Sequence, residues 1–169
     1  MHWCLKLSKP TKKKLMIKAD VIVANKKWKK YISNPKFYID KKLKRFEKNL
    51  ALFKKNNLKF CINLSNDLEI KKLNKKYRKK NKITDILSFP FYEKKELKKI
   101  LKSRKQIYLG DIIINLNKIL KQNKKNNFNY TFDKIWVHGF VHLFGYRHRL
   151  NKDFEEMQKI ENKILNLIN

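Results

Sequence analysis

"TFDKIWVHGFVHLFGYRH", residues 131–148, decides the architecture of this chain. Phe132, Ile135, Trp136, Phe140, Val141, Leu143 and Phe144 leave a helix over this stretch almost no polar face, so it has to be surrounded by protein. Thr131 is placed to cap that helix and Asp133 to sit at its positive end. The floor it needs comes from upstream, where "IKADVIVAN" (17–25), "LKFCINLS" (58–65), "ITDILSFPF" (83–91) and "IYLGDIIIN" (107–115) read as strands.

Helical patterns separate and follow those strands. One starts after Pro35, with Phe37, Ile39, Leu43, Phe46, Leu50 and Phe53 as its apolar positions. Asn66 with Glu69 resembles a capping box opening a second helix through about Lys79. "EKKELKKILKSRKQ" (93–106) reads as a surface helix or loop. A helical stretch from Leu116 breaks at "KQNKKNNFNY" (121–130), and an amphipathic helix with Phe154, Met157, Ile160, Ile164 and Leu167 closes the chain. The expectation is an α+β fold: a small mixed β-sheet with helices packed over it, and a candidate metal site on the buried C-terminal helix and the turn after it. Residues 16–169 read as a single domain behind an N-terminal extension, 1–15, with Met16 a candidate start.

Hydrophobic residues at 42% and aromatics at 12% are too many for a disordered tail, so the chain folds despite 34% charged residues. No apolar run approaches the roughly eighteen residues of a membrane span, which points to the cytoplasm and away from a membrane partner. Cys4 and Cys61 form no C-x-x-C pair and predict neither a structural disulfide nor a disulfide-linked partner. The formal charge of +30 points to a polyanion such as nucleic acid. Of 44 basic residues, however, only Arg45, Arg78, Arg104, Arg147 and Arg149 are arginine, and Lys, Asn and Ile dominate as in a coding sequence driven toward A and T. A solvated lysine surface accounts for roughly half of the charge, which leaves a weak preference for RNA or DNA.

Three of the four histidines, His138, His142 and His148, fall in the segment quoted first. His138 and His142 are one helical turn apart and project from one face. Gly145 tolerates the left-handed conformation that ends a helix, so the chain can turn there and bring His148 back to the same point. The resulting H-x-x-x-H-x-x-G-x-x-H is a zinc-ligand spacing, and three imidazoles leave a fourth tetrahedral position open for water. A zinc protease places its glutamate directly after the first histidine, where this chain has Gly139, which disfavours peptide hydrolysis. The other acidic residues nearby, Asp133, Asp153, Glu155 and Glu156, suit helix ends and surface better than catalysis. On the helix after Asn66, Asn74 and Arg78 edge an apolar stripe of Ile70, Leu73 and Tyr77 that can face a cleft. An arginine fork there would bind a phosphate bidentately where lysine offers a point charge.

"LNKKYRKKNKITDILSFPF" (73–91), "LGDIIIN" (109–115) and "HGFVHLFGYRH" (138–148) closely resemble the three signature blocks of the YbeY family, the bacterial rRNA maturation endoribonucleases. Met157 and Glu161 also fall where that family places a methionine and a glutamate. The resemblance runs in order from about residue 58 to the end, more loosely back to residue 16, and leaves 1–15 outside. It implies a metal-dependent, single-strand-specific endoribonuclease acting in rRNA maturation, notably at the 3′ end of the small-subunit 16S RNA, and in ribosome quality control. It further implies one Zn2+ per chain held by His138, His142 and His148, Arg78 as the functional arginine, and single-stranded RNA, ribosomal RNA and the small ribosomal subunit as partners. Arg147 departs from the pattern, since the family usually carries an aspartate just before the last histidine.

The leading expectation is phosphodiester cleavage in single-stranded RNA, the metal polarising the phosphate or activating water and Arg78 stabilising developing negative charge. The attacking oxygen could equally be the substrate's 2′-hydroxyl. The runner-up is a ribosome-assembly or RNA-binding factor with a mainly structural metal and weak or no hydrolysis; the missing acidic base supports it, and the open three-histidine site argues against it. A zinc peptidase comes third, held down by Gly139.

Overall fold

The computed structural model describes residues 17–47, 56–103, 106–122, 127–148 and 150–169. The extension 1–15, Met16, Leu50, Phe53 and the middle of the lysine and asparagine break lie outside the described residues. In chain order the elements are β1 (Ile17–Val23), a 3-10 turn (Lys26–Lys30), α1 (Pro35–Glu47), β2 (Asn57–Ser65), α2 (Asp67–Arg78), β3 (Ile86–Pro90), α3 (Lys94–Ser103), β4 (Gln106–Asn115), α4 (Leu116–Gln122), α5 (Phe128–Leu143) and α6 (Asn151–Ile168). The strands form one sheet in the order β1-β2-β4-β3, with β1, β2 and β4 parallel and β3 antiparallel at the edge. The fold is therefore α+β around a mixed sheet.

Period-2 alternation divides the sheet into two faces. Ile17 and Ala19 of β1, Phe60 and Ile62 of β2, and Ile112 and Ile114 of β4 face the main core, which α1, α5 and α6 complete through Ile39, Phe46, Trp136, Phe140 and Ile164. On the other face Leu87, Phe89 and Ile113 pack beneath Ile70 and Leu73 of α2. That face is open beyond α2, where Ile22 of β1 is 53% exposed.

A bulge keeps β4 in phase with both covers. Lys59 pairs with Tyr108 but Cys61 with Asp111, so β4 spends one extra residue. Gly110, at φ +132°, supplies it, and a Cβ there would lie 2.1 Å from the carbonyl oxygen of Phe89. Leu109 and Ile112 consequently both reach the core, although they are three residues apart.

Several elements differ from the sequence expectation. The strand expected over 83–91 is confined to Ile86–Pro90, because the Asp85 side chain accepts from the Ile86 N–H and from Thr84 Oγ1 and makes a local turn instead. The helix α5 starts at Phe128, capped by Asn127 rather than Thr131. Asp133 is thus well inside the helix, fully buried, where its carboxylate accepts from Lys42 Nζ (2.7 Å), Trp136 Nε1 (2.8 Å) and the Tyr38 hydroxyl. Asn66 accepts from the Glu69 N–H as expected, but Glu69 does not reach back to complete the box; its carboxylate accepts from Ser65 Oγ and Asn63 Nδ2. Phe37 and Phe154 are 65% and 53% exposed, outside the packed stripes of α1 and α6. "KKWKK" carried no strand or helix signal, yet Trp28 is fully buried and its indole N–H donates to the Ser65 carbonyl at 2.9 Å.

Candidate metal centre

From residue 131 to residue 141 of α5, Lys134 is the sole exposed side chain, so the helix is held on all sides and its register is fixed. Gly139 sets its depth. A Cβ there would lie 2.6 Å from Ile86 Cδ1 and 2.9 Å from Ile112 Cγ2, so the helix touches β3 and β4 at the residue beside His138. A glutamate at this position has no room, which gives the absence of the protease base a steric reason.

His138 and His142 project from the next turn into a shared space with their Nε2 atoms 3.1 Å apart. Behind them, His138 Nδ1 lies 2.8 Å from Glu161 Oε1 of α6, and His142 Nδ1 lies 2.7 Å from the Tyr146 carbonyl oxygen. A carbonyl only accepts, so His142 Nδ1 carries the proton and its Nε2 lone pair faces forward. Burial, helped by the neighbouring His138 and His148 and opposed by the Tyr146 carbonyl, pushes the His142 pKa down to about 4, so the ring is neutral at pH 7.

Gly145 adopts φ +79° as its position demanded, and its N–H donates to the His142 carbonyl at 2.9 Å. The chain turns there and returns His148, whose ring centroid lies 5.6 Å from that of His138 and 5.1 Å from that of His142. One nitrogen from each of the three rings falls within 4.8 Å of the others. The donor set fits a metal ion. Two Nε2 atoms at 3.1 Å must share something positive, and a proton serves two partners whereas a zinc-like cation serves three or more. His138 and His142 are half-buried and His148 is exposed, so the cluster opens on one side to solvent. Beside it, a polar hollow of about 390 Å³ is lined by Asp85, Gln122, Thr131, Lys134, His138 and Glu161.

Arg78, the last residue of α2, is exposed, and its Nη2 donates to the Ser88 carbonyl of β3 at 3.3 Å. The Ser88 side chain lies on the other side of the strand against Gly139, so Arg78 and the histidine helix meet across one edge strand. Asn74 does not line this edge: it is buried, and its Nδ2 donates to the Lys82 carbonyl at 2.8 Å, fastening the loop after α2. Arg147 turns away from the histidines to Glu93, with Nη2 2.9 and 3.1 Å from the two carboxylate oxygens in a surface pair. Glu161 is not among the acidic residues that the local sequence around the histidines offers. Its signal was present, since it follows Ile160 and stands four residues after Met157 on the packed stripe of α6, where a carboxylate needs a partner.

The family model described as Endoribonuclease YbeY matches residues 22–169. Among curated proteins, the chain is 42% identical over 158 residues to "Endoribonuclease YbeY" of Pelagibacter ubique, covering 90% of this chain and 97% of that relative. It is 39% identical over 137 residues to the protein of the same name from Buchnera aphidicola subsp. Acyrthosiphon pisum, covering 78% and 83%. A Thermotoga maritima protein solved in solution superposes with a TM-score of 0.56 at 22% identity, over 90% of this chain and 89% of that one, a likeness of fold.

Proposed function

The chain belongs to the endoribonuclease YbeY family, hydrolases of RNA phosphodiester bonds, and from that premise we propose that it is a zinc-dependent, single-strand-specific endoribonuclease of rRNA maturation. In this reading it acts in the cytoplasm at the 3′ end of the small-subunit 16S RNA, and residues 16–169 form its single domain. Among the described residues no helix is long and apolar enough to cross a membrane.

The observation that carries the reading is the convergence of His138, His142 and His148 with one side of the cluster open. Zinc held by these three would polarise a phosphate oxygen and lower the pKa of a water toward 7. The chain's own residues do the rest. Glu161 and the Tyr146 carbonyl hold His138 and His142 by their Nδ1 atoms, so both rings present Nε2 without reorganising. Arg78 offers a guanidinium at the β3 edge, where it can pair with a phosphate and stabilise the charge that builds on it during cleavage. The hollow beside His138, with Lys134 and Gln122 in its wall, has room for a nucleotide next to the scissile bond. A purely structural metal would be expected to close its coordination with a fourth protein ligand, and the exposed side of His148 offers none among the described residues.

The deciding experiment maps the ends of a defined single-stranded RNA after incubation with metal-loaded wild type, chelated wild type and metal-loaded Arg78→Ala. Internal cleavage by the first alone, with Arg78→Ala slower by about 10²- to 10³-fold at unchanged metal content, is the expected result. An intact RNA with the metal-loaded wild type removes the nuclease reading.

A further inference from the structure

A row of aromatic rings runs along the edge of the sheet face opposite the histidines. Tyr77 of α2 meets Phe89 of β3 edge to face at 5.3 Å, and Phe91, just past β3, meets Tyr108 of β4 at 5.9 Å. Phe89 lies in β3 and Phe91 directly after it, so the two pairs flank the end of the edge strand. Tyr77 is 57% and Phe91 64% exposed, so the row is anchored at its base and open at its top. Scattered single rings on a surface are ordinary, but two contacting pairs at the end of one edge strand are a patch.

The chemistry around the row is cationic. Lys76 Nζ lies 5.1 Å from the centroid of the Tyr77 ring, and Lys75, Lys79, Lys80 and Lys82 are exposed nearby, with Arg78 at the edge between this face and the metal centre. Farther in, Asp20 and Asp111 occupy one cross-strand row with Cys61, and Asp111 accepts from the Tyr108 hydroxyl at 2.7 Å. Those carboxylates repel a polyanion from the sheet centre and confine its path to the edge.

We propose that Tyr77, Phe89, Phe91 and Tyr108 form a stacking platform for unpaired bases of single-stranded RNA, continuous past Arg78 with the metal centre. The inference rests on the endoribonuclease reading and adds a second binding region to it. Open ring faces accept any base, flanking lysines neutralise the phosphates, and duplex RNA, whose bases are already stacked, has nothing to offer the rings. The platform therefore supplies preference for single strands from outside the reacting centre.

The test uses the full, metal-loaded chain and fluorescein-labelled 2′-O-methyl RNA, as a single strand and as a blunt-ended duplex, each checked intact after titration. Phe91→Ala and Tyr77→Ala should each raise the apparent Kd for the single strand about tenfold and leave that for the duplex within twofold. Phe91→Trp should bind as wild type and Phe91→Leu as the alanine variant, because stacking needs a ring and apolar bulk alone does not. Single-strand affinity unchanged in both alanine variants, with circular dichroism as wild type, overturns the proposal and leaves the patch to a protein partner. Cleavage of unmodified RNA separates the two readings. A wild type that cleaves while the variants bind and cleave equally well defeats the platform alone, and a wild type that does not cleave while the variants lose binding defeats the nuclease alone.

Discussion

Glu161 Oε1 lies 2.8 Å from His138 Nδ1, a link between two helices and across 23 residues of chain. It makes α6 part of the candidate metal centre, although none of the three converging histidines lies on it. Glu161→Gln keeps the shape and removes the charge, and metal affinity should fall roughly 10- to 100-fold, as for other groups that orient a ligating histidine. Alanine at His138, His142 or His148 should abolish tight binding, since each removes one of three donors. Competition against a chromophoric chelator, with metal analysis after gel filtration, measures both. Full zinc stoichiometry in all three histidine variants would refute the site.

The contact at Gly139 predicts a steep stability cost. Gly139→Ala places a methyl 2.9 Å from Cγ2 of the fully buried Ile112, a branch next to the strand backbone that cannot swing aside, besides 2.6 Å from the tip of Ile86, and about 1–3 kcal/mol should be lost in urea unfolding despite alanine's better helix propensity. Gly139→Glu should fail to fold. A Gly139→Ala protein as stable as wild type would show that β3 and α5 can part at no cost.

Arg147 bears on the one departure in the signature. Its pair with Glu93 is exposed on both sides, 46% and 76%, and pairs of that kind contribute less than about 1 kcal/mol. Arg147→Ala should leave zinc content intact and shift the urea midpoint only slightly. Loss of metal in Arg147→Ala would mean that the pair holds the His148 turn in place.

Asp67 supplies a pH dependence. Hydrogen bonds from Asn115 (2.7 Å) and Asn117 (2.8 Å), chiefly the former, lower its pKa below the ordinary 3.8. A carboxylate depressed in the folded state adds stability above its unfolded pKa and loses it as pH falls through the folded one. The stability difference between wild type and Asp67→Ala should be constant near neutrality and shrink below about pH 4. A difference that grows on acidification contradicts the assignment.

The histidine centre was legible because all of its donors lie on one helix and the turn after it, where spacing alone fixes geometry. Its orienting carboxylate was not, because spacing says nothing about which residues of α6 meet α5 until the two pack. The same limit explains Asp133, whose position suits a helix end only in a helix that starts at Thr131; Asn127 captures the first turn and leaves the carboxylate to Lys42 and Trp136. The sheet was readable from alternation in β1 and β2. β3 was overextended because Asp85 and Thr84 bond locally, a competition that hydrophobic period does not register.

Gly110 gives β4 something like a reading frame. The extra residue shifts the parity of everything after it, so that Ile112 and Ile114 face α5 while Asp111 and Ile113 face the opposite side. Deleting that one residue without moving the strand would exchange the two sets, setting a carboxylate beneath the histidine helix and taking from α2 the isoleucine it packs on. In "LGDIIIN" the repeated isoleucines look interchangeable, and the glycine before them decides which helix each one serves.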